Sequence, residues 1–308
     1  MSVIATSSLT RRFGDVTALA GLTVELPAGG VIGVVGPNGS GKSTLIRILL
    51  GLIRPTSGDA SVLGEPITDP TRYAARVGSM IESSAFAGGM SARANLMSLA
   101  HLRGVQTSRV DVVLAQVGLL GRDREPVRQF SLGMKQRLGI AMSLLTDPEL
   151  LILDEPTNGL DPAGIVEVRE LLRQLARDGR TVVVSSHLLS ELEAICTHVV
   201  VIRYGELMFA GPMAQLLERT IAHIDFMPEH DGDAAALADA LANAGWQIER
   251  RKGAIRALEA AGRAGDLNRA ATAAGFTLAH LVEARDSLED VFLSMTAGET
   301  SAAAGVNA

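Results

Sequence analysis

The sequence has a single cysteine, Cys196, and lacks any apolar run long enough to cross a bilayer. One cysteine excludes an internal disulfide and indicates a reducing compartment. The longest candidate run, LIRILLGLI, falls well short of the roughly 18 residues that a membrane span needs, and it contains Arg47. The opening MSVIATSSLTRRF also lacks the charged and then apolar layout of a signal peptide. We therefore expect a cytoplasmic protein that reaches a membrane only through a partner.

An excess of positive charge is missing as well. The formal net charge of the 308 residues is -6, which provides no overall attraction to nucleic acid or to anionic lipid. We therefore expect no nucleic-acid partner. In contrast, 47% of the residues are hydrophobic, and a chain of this length accommodates one large domain with a substantial core and one small domain.

Residues 1–219 have the pattern of an α/β domain. Alternating short runs over residues 1–35 predict antiparallel strands, and three unbroken apolar runs, VIGVV, LLIL and TVVV, predict buried strands. Residues 82–145 are predicted to be mostly helical, with breaks at glycines, and HVVVIRYGELMFAG predicts a hairpin. We therefore predict a domain that combines an antiparallel β subdomain with a helical subdomain.

Composition changes near residue 220, where we predict a domain boundary. The following pattern is strand, helix, strand, strand, helix and strand, and a further helix is predicted at SLEDVFLSMT. This order indicates a small α+β domain of the ferredoxin-like type over residues 220–297. Residues 298–308 are predicted to form a disordered tail.

The segment GPNGSGKST fits the GxxxxGK[ST] pattern of a phosphate-binding loop, and it follows a predicted strand and opens a predicted helix. Glycines allow the backbone N–H groups to point inward at phosphate oxygens, and the helix dipole adds to the attraction. We expect Lys42 to reach the terminal phosphates, Ser43 to bind Mg²⁺ and Thr44 to lie near the first phosphate. A turn without a ligand is the structural alternative. The candidate residues are Gly36, Pro37, Asn38, Gly39, Ser40, Gly41, Lys42, Ser43 and Thr44.

Acidic and basic side chains follow the two other buried strands. LLILDEP places Asp154 and Glu155 at a strand end, where paired carboxylates are costly unless a cation or a reaction uses them. We predict that Asp154 organises Mg²⁺ and that Glu155 is the general base for an attacking water. His187 ends TVVVSSH, at the sheet edge where ligands bind in open α/β folds, and it is predicted to contact the terminal phosphate. A charged turn and a helix-capping histidine are the alternatives.

The stretch FSLGMKQRLGIA begins a predicted helix poorly. Ser131 is a good N-cap, but Gly133 disfavours the first turn, and Lys135 and Arg137 lie near the positive end of the helix dipole. An anion bound at this helix start would explain both features. A mildly unfavourable helix start with solvated basic side chains is the alternative.

In this order, GPNGSGKST, SLGMKQR, LLILDEP, NGLDP and SSH resemble the motifs of the nucleotide-binding subunits of ABC transporters. The resemblance covers residues 1 to about 215, and it implies a P-loop NTPase fold of the ABC type that binds ATP with Mg²⁺ and hydrolyses ATP. SLGMKQR stands where the family has LSGGQ. Ser131 and Gly133 match that motif, whereas Phe130, Leu132 and Met134 depart from it.

The family buries two ATP molecules between two nucleotide-binding domains arranged head to tail. Because this chain has one copy of each motif, the resemblance implies a partner that is a second copy or a close relative. Ser131 and the N–H group of Gly133 would then bind the γ-phosphate held by the other subunit. Asp161, in NGLDP, matches the loop that crosses the interface, and a plain turn is the alternative there.

Two further positions follow from the resemblance. The family stacks adenine on an aromatic residue near the N-terminus, and Phe13 is the only aromatic before Tyr73. A core or surface phenylalanine is the alternative. Where the family usually has Gln after the strand RVGSMI, this chain has Glu82, whose carboxylate would offer Mg²⁺ a hard oxygen and add negative charge near the phosphates.

Glu82, the SLGMKQRLGIA form and SLEDVFLSMT are similar to the branch that exports bacitracin, lantibiotics and daunorubicin. The expected function is an ATPase that powers a membrane exporter, held at the inner face of the cell membrane by a permease. The loop through Phe86 and Met90 is the predicted contact for that permease. A soluble ABC ATPase acting on nucleic acid or ribosomes is the rival, and a phosphate-loop kinase or GTPase is a third class.

Overall fold

Three β-sheets organise the residues that the computed structural model describes, namely 2–81, 86–218, 220, 222–251, 254–258, 260–286 and 291. Met1–Met213 and Ala214–Ala308 form separate compact units. Among the described residues, the strands are β1 (Ser2–Phe13), β2 (Val16–Pro27), β3 (Gly30–Val35), β4 (Ser57–Val62), β5 (Glu65–Pro66), β6 (Val77–Met80), β7 (Leu150–Leu153), β8 (Thr181–Ser186), β9 (His198–Arg203), β10 (Glu206–Pro212), β11 (Ala222–Pro228), β12 (Ile248–Arg251), β13 (Ala254–Leu258) and β14 (Leu278–Arg285). The α-helices of the same residues are α1 (Lys42–Leu49), α2 (Ala92–Leu102), α3 (Ser108–Gln116), α4 (Leu132–Leu144), α5 (Pro162–Arg177), α6 (Leu189–Glu193), α7 (Met213–Leu217), α8 (Ala234–Asn243) and α9 (Ala264–Ala273).

The first sheet of the larger unit is antiparallel, in the order β2-β1-β4-β5. Ile4 of β1 is paired with Leu26 on one side and with Val62 on the other. Buried side chains recur along β1 and β2 between exposed ones, as the alternation of residues 1–35 predicts for strands with one covered face. The prediction of antiparallel strands is therefore confirmed for these two elements.

The second sheet has the order β10-β9-β3-β8-β7-β6. Its strands are parallel except β10, which forms an antiparallel hairpin with β9 as the sequence predicts. Every residue of β7 and β8 is buried, and β3 is buried from Val31 to Val35. Because a parallel strand is covered on both faces, it has a continuous apolar sequence, and the three predicted buried strands are confirmed.

One apolar cluster takes side chains from both sheets and from α1. It includes Ile4 of the antiparallel sheet, Ile32 and Ile152 of the parallel sheet, and Ile46 and Leu49 of α1. The buried face of α1 therefore fixes the helix against the sheet, and with it the loop that precedes the helix.

The segment between β6 and β7 contains α2, α3 and α4, in agreement with its predicted helical pattern. Ser91 caps α2 by accepting a hydrogen bond from the N–H of Ala94 at 3.1 Å, and Ser131 caps α4 in the same way with Met134 at 3.2 Å. Leu138 and Leu144 of α4 are buried. Side-chain caps therefore stabilise the starts of α2 and α4, and buried apolar side chains hold α4 in place.

The smaller unit has one antiparallel sheet in the order β12-β13-β11-β14, with α8 following β11 and α9 following β13. This is the predicted ferredoxin-like order of elements. Ile224 and Phe226 of β11 pack with Leu237 of α8 and Leu267 of α9 in its core. Most of the predicted helix SLEDVFLSMT and all of the predicted tail, 298–308, lie outside the described residues.

A buried carboxylate, Asp123, joins the turn after α3 to the start of α2. Its Oδ2 atom accepts a hydrogen bond from Nε of Arg93 at 2.6 Å, and its Oδ1 atom accepts one from the N–H of Gly121 at 3.0 Å. Arg93 also pairs with Asp111 of α3 at 2.7 Å. Burial alone raises the pKa of Asp123, but the bonds from Arg93 and Gly121 outweigh it, so the pKa lies below its ordinary value.

We expect Asp123→Asn to lower the free energy of unfolding at pH 7 by about 2 kcal/mol, since a charged hydrogen-bonded partner is lost. A depressed pKa stabilises the fold above the pKa of the unfolded chain and ceases to do so as the pH falls through the folded value. The difference from wild type should therefore shrink below about pH 4, as measured by urea unfolding across pH. Glu125→Gln, which breaks an exposed pair with Arg122, is the control and should cost under about 1 kcal/mol. If the loss in free energy of unfolding caused by Asp123→Asn does not change with pH, the prediction is contradicted.

Candidate functional site

The carboxyl ends of three parallel strands bring the predicted motifs together. β8 lies between β3 and β7, with Val35 beside Ser186 and Leu153 beside Val184. The loop after β3, the carboxylates after β7 and the histidine after β8 therefore leave the sheet at one edge. Ligands bind at this edge in open α/β folds.

Two glycines of the phosphate loop are required by close backbone approaches. A Cβ atom on Gly36 would lie 2.1 Å from the carbonyl oxygen of Ile202, and one on Gly41 would lie 2.5 Å from the carbonyl oxygen of Ala18. Gly41 also has a φ of +108°, which side-chain-bearing residues rarely adopt, and α1 begins at the next residue. The sequence thus places the positive end of α1 at the loop.

Lys42 is held inside the loop by oxygen atoms. Its Nζ donates hydrogen bonds to the carbonyl oxygens of Gly36 at 2.8 Å and Pro37 at 3.4 Å, and it lies 3.5 Å from Oε1 of Glu155. The side chain is only 6% exposed. An ammonium group is therefore fixed where the loop N–H groups and the helix dipole already favour an anion.

Asp154 and Glu155 are positioned by one serine. Oγ of Ser185 donates to Oδ1 of Asp154 at 2.5 Å and accepts from the N–H of Glu155 at 2.9 Å. Glu155 has a φ of +49°, an unusual value for a residue with a side chain, and its Oε2 lies 2.9 Å from Nδ1 of His187. The backbone strain and these bonds direct the Glu155 carboxylate to a place between His187 and Lys42.

Lys42, Glu155 and His187 line a cleft with a volume of about 360 Å³. Its walls are residues 38–44 together with Ala18, Glu155, Asn158 and His187. Sequence reasoning does not identify Ala18, which has no chemical signal, or Asn158, which begins the NGLDP motif. It also missed Ser185, although two serines that end an apolar strand were a usable signal.

Other predicted residues lie elsewhere. Asp154 is 5% exposed and is not among the residues that line the cleft. Phe13, at the end of β1, is 47% exposed and also outside the lining, with the guanidinium of Arg11 over its ring at 4.3 Å. Glu82 lies outside the described residues. The predicted adenine contact of Phe13 and the Mg²⁺ contact of Glu82 remain predictions.

Ser131, Gly133 and Asp161 are likewise absent from the lining of the cleft. Oδ1 of Asp161 caps α5 by accepting from the N–H of Gly164 at 3.0 Å. A Cβ on Gly133 would be 3.9 Å from Cδ2 of Leu160, so the start of α4 and the NGLDP loop are neighbours. The predicted anion site at α4 therefore belongs to a surface separate from the phosphate loop of the same chain.

The cleft fits a nucleoside triphosphate with Mg²⁺. Oγ of Ser40 is buried without a hydrogen-bond partner in the described part of the chain, and it lies in the loop that would surround phosphates. No group of three or more His, Cys, Asp or Glu among the described residues forms a cage for a metal ion. Mg²⁺ usually takes one or two protein oxygens together with phosphate oxygens and water, and Ser43, which lines the cleft, offers one hydroxyl oxygen. Over the same described ranges, no helix has both the length and the apolar composition for a membrane span.

Fold and site together define a P-loop NTPase. The model of the ABC transporter family matches residues 19–158. The chain is 38% identical to the bacitracin transport ATP-binding protein BcrA of Bacillus licheniformis over 97% of this chain and 99% of that protein. It is 43% identical to the lantibiotic transport ATP-binding protein SrtF of Streptococcus pyogenes over 65% of this chain and 87% of that protein.

A solved structure, cbiO1 of Clostridium perfringens, which is part of an ABC transporter complex, is also similar. It has a TM-score of 0.65 and 27% identity, over 71% of this chain and 91% of that one. The chain belongs to the ATP-binding subunits of the ABC transporter family. It is accordingly an ATP-binding protein with the ATPase activity of that family, which confirms the predicted fold class and enzyme class.

Proposed function

We propose that this chain is the ATP-hydrolysing subunit of an exporter that removes an antibiotic, peptide or other hydrophobic compound through a membrane-spanning permease. The similarity to bacitracin and lantibiotic transport ATP-binding proteins supports the substrate class. The observation that carries the ATPase assignment is the carboxylate of Glu155 between Lys42 and His187 in the cleft.

In the proposed reaction, Lys42 and the N–H groups of residues 39–42 bind the phosphates. An incoming polyphosphate competes with Glu155 for the ammonium of Lys42, which leaves the carboxylate available to accept a proton from the attacking water. His187, already beside Glu155, donates a hydrogen bond to a γ-phosphate oxygen on which negative charge develops. Mg²⁺, when held by Ser43 and Asp154, would neutralise charge on the phosphate oxygens, and Glu82 is a proposed further ligand.

The second half of each site is proposed to come from another copy of the chain. Ser131 and Gly133 lie at the start of α4, outside the cleft, and Ser131 is exposed. The start of a helix attracts anions, and a glycine permits close approach to its N–H groups. Paired chains would present this helix start, with Asp161 nearby, to the γ-phosphate bound in the opposite cleft.

Attachment to the inner face of the membrane is proposed to occur through the loop after residue 85. Asn95 of α2 fixes this loop by accepting from the N–H of Ala87 at 3.0 Å and donating to its carbonyl oxygen at 3.3 Å. Met90 remains 39% exposed. A fixed loop with an exposed apolar side chain is suited to receive a short helix of a permease.

The test is Ser131→Arg in the full chain, expressed with its permease in a strain sensitive to peptide antibiotics. Arginine places a bulky side chain where the partner's phosphate would lie. We expect ATP affinity of the isolated chain within about twofold of wild type, ATP-driven pairing abolished and resistance lost, because the site stays incomplete. Equilibrium binding, light scattering and growth inhibition measure the three quantities.

Gln129→Arg is the matched control, since it adds the same group before α4 begins, and it should retain pairing and resistance. Pairing preserved in Ser131→Arg would refute the shared site. Wild-type chain that pairs on ATP but neither binds a permease nor confers resistance to any antibiotic tested would favour the soluble ATPase acting on nucleic acid or ribosomes.

A further inference from the structure

Glu191, on α6, joins the two loops that carry Glu155 and His187. Its Oε2 atom accepts hydrogen bonds from the hydroxyl of Thr157 at 2.8 Å and from that of Ser186 at 3.4 Å. Thr157 lies two positions after Glu155, and Ser186 immediately precedes His187. One carboxylate oxygen therefore links the end of the β7 loop to the end of β8.

The two hydroxyl donors are buried, so their partner matters. Thr157 is 8% exposed and Ser186 is 1% exposed. A buried hydroxyl that loses its acceptor is unfavourable, and its segment shifts to find another. Oγ of Ser186 also accepts from the N–H of Leu188 at 3.0 Å, so one hydroxyl constrains the backbone on both sides of His187.

Packing holds Glu191 itself in place. Leu189 and Leu192 of α6 are buried, and the helix lies directly on β3 at Gly33. A Cβ atom at Gly33 would come within 2.9 Å of Cδ1 of Leu192 and 3.0 Å of Sγ of Cys196. Burial raises the pKa of the Cys196 thiol to about 12, so this cysteine is a packing group here. The packing of α6 against β3 therefore fixes the position of Glu191.

We propose that Glu191 is a positioning residue for ATP hydrolysis. It holds the loop of Thr157 against the loop of His187 at the separation that leaves Nδ1 of His187 2.9 Å from Oε2 of Glu155. The inference deepens the proposed function and rests on the roles given there to Glu155 and His187. Displacement of such a pair by about 1 Å is enough to cost up to about a hundredfold in rate.

The test compares two variants of Glu191 with a control variant of Glu193, all in the full chain. Glu191→Ala should lower kcat about tenfold and leave KM for ATP within about twofold. Glu191→Gln retains a carbonyl oxygen that accepts both hydroxyl hydrogen bonds, and it should restore kcat to within about twofold of wild type. Glu193→Ala is the matched control, because Glu193 is exposed on the same helix, and it should match wild type.

A double-mutant cycle tests the route of the effect. Thr157→Val removes the hydroxyl with little change of shape and should lower kcat about fivefold, since the Ser186 bond remains. The double variant Glu191→Ala with Thr157→Val should be no slower than Glu191→Ala alone. Losses that multiply would show independent roles and overturn the proposal, as would an unchanged kcat in Glu191→Ala or a Gln variant as slow as the Ala variant.

Two further measurements distinguish a failure of the positioning role from a folding defect and from a failure of the role proposed for Glu155. If Glu191→Ala does not fold, as judged by its thermal unfolding, Thr157→Val decides, and an unchanged kcat in Thr157→Val overturns the proposal. Glu155→Gln is assayed beside these variants. If Glu155→Gln hydrolyses ATP at the wild-type rate, the proposed catalytic role of Glu155 is wrong, and the positioning role of Glu191 is wrong with it. If Glu155→Gln loses hydrolysis while Glu191→Ala keeps a wild-type kcat, only the positioning role is rejected.

Discussion

Glu155→Gln will lower ATP turnover roughly a thousandfold while ATP remains bound, because general-base catalysis contributes about that much and an amide is a far weaker base. The substitution keeps the size of the side chain and an oxygen that hydrogen-bonds to His187. It also leaves the loop glycines and Lys42 in place, so affinity for ATP should stay within about threefold of wild type. Single-turnover hydrolysis and equilibrium binding measure the two effects separately.

The same variant should accumulate as an ATP-bound pair of chains. If hydrolysis releases the pair, a stalled chemical step leaves it closed, and its mass in solution should double with saturating ATP and Mg²⁺. Glu193→Gln makes the same chemical change at an exposed position and should behave as wild type. A Glu155→Gln chain that remains single and turns over normally would reject both the base and the shared site.

The cleft was largely predictable because its chemistry is local in sequence. VIGVV, LLIL and TVVV are apolar throughout, which identifies strands covered on both faces, and a predicted motif follows each strand in the sequence. Parallel pairing then brings Lys42, Glu155 and His187 to one edge without further information. The glycines of the loop were predictable from their spacing, although the atoms that require them, such as the carbonyl of Ala18, were not.

Contacts between distant segments could not be predicted in the same way. The hydroxyl of Thr157 meets Glu191 across 34 positions, and Gly33 is needed because Leu192 packs on it from another element. Neither pairing leaves a periodic or compositional trace in the sequence. Phe13 is a different case, since an aromatic residue at a suitable position was easy to find, but nothing local in the sequence specifies whether a base stacks on it, and its role stays a prediction.

The order of strands and helices in the smaller unit was predictable from the sequence, but the contacts between its charged side chains were not. The order strand, helix, strand, strand, helix and strand predicted the ferredoxin-like arrangement. A partly buried cluster, in which Arg256 binds Asp225 and Asp286 at 2.8 Å each, depends on how β13 and β14 pair with β11. Register between strands decides that, and a shift by one residue would place these side chains on the opposite face.

Lys42→Ala will weaken ATP binding by a hundredfold or more. Removal of a buried ammonium from the phosphate cradle deletes a charge-assisted contact worth about 3 kcal/mol, and each 1.4 kcal/mol is about tenfold in affinity. The variant also leaves Glu155 beside the phosphates without its cationic neighbour, which adds repulsion in the same direction. Titration with a fluorescent ATP analogue, in the presence of Mg²⁺, measures the affinity.

Loss of binding must be distinguished from loss of the loop. The carbonyl oxygens of Gly36 and Pro37 lose their donor in Lys42→Ala, so the fold is checked by thermal unfolding without nucleotide. Lys135→Ala removes the same group from α4, outside the cleft, and should leave ATP affinity of the single chain unchanged. ATP raises the Tm of any variant that binds it, so wild type and Lys135→Ala should be stabilised by ATP and Lys42→Ala should not. Equal stabilisation of all three would mean that the triphosphate binds elsewhere, because the ammonium of Lys42 cannot be removed from its cradle without effect.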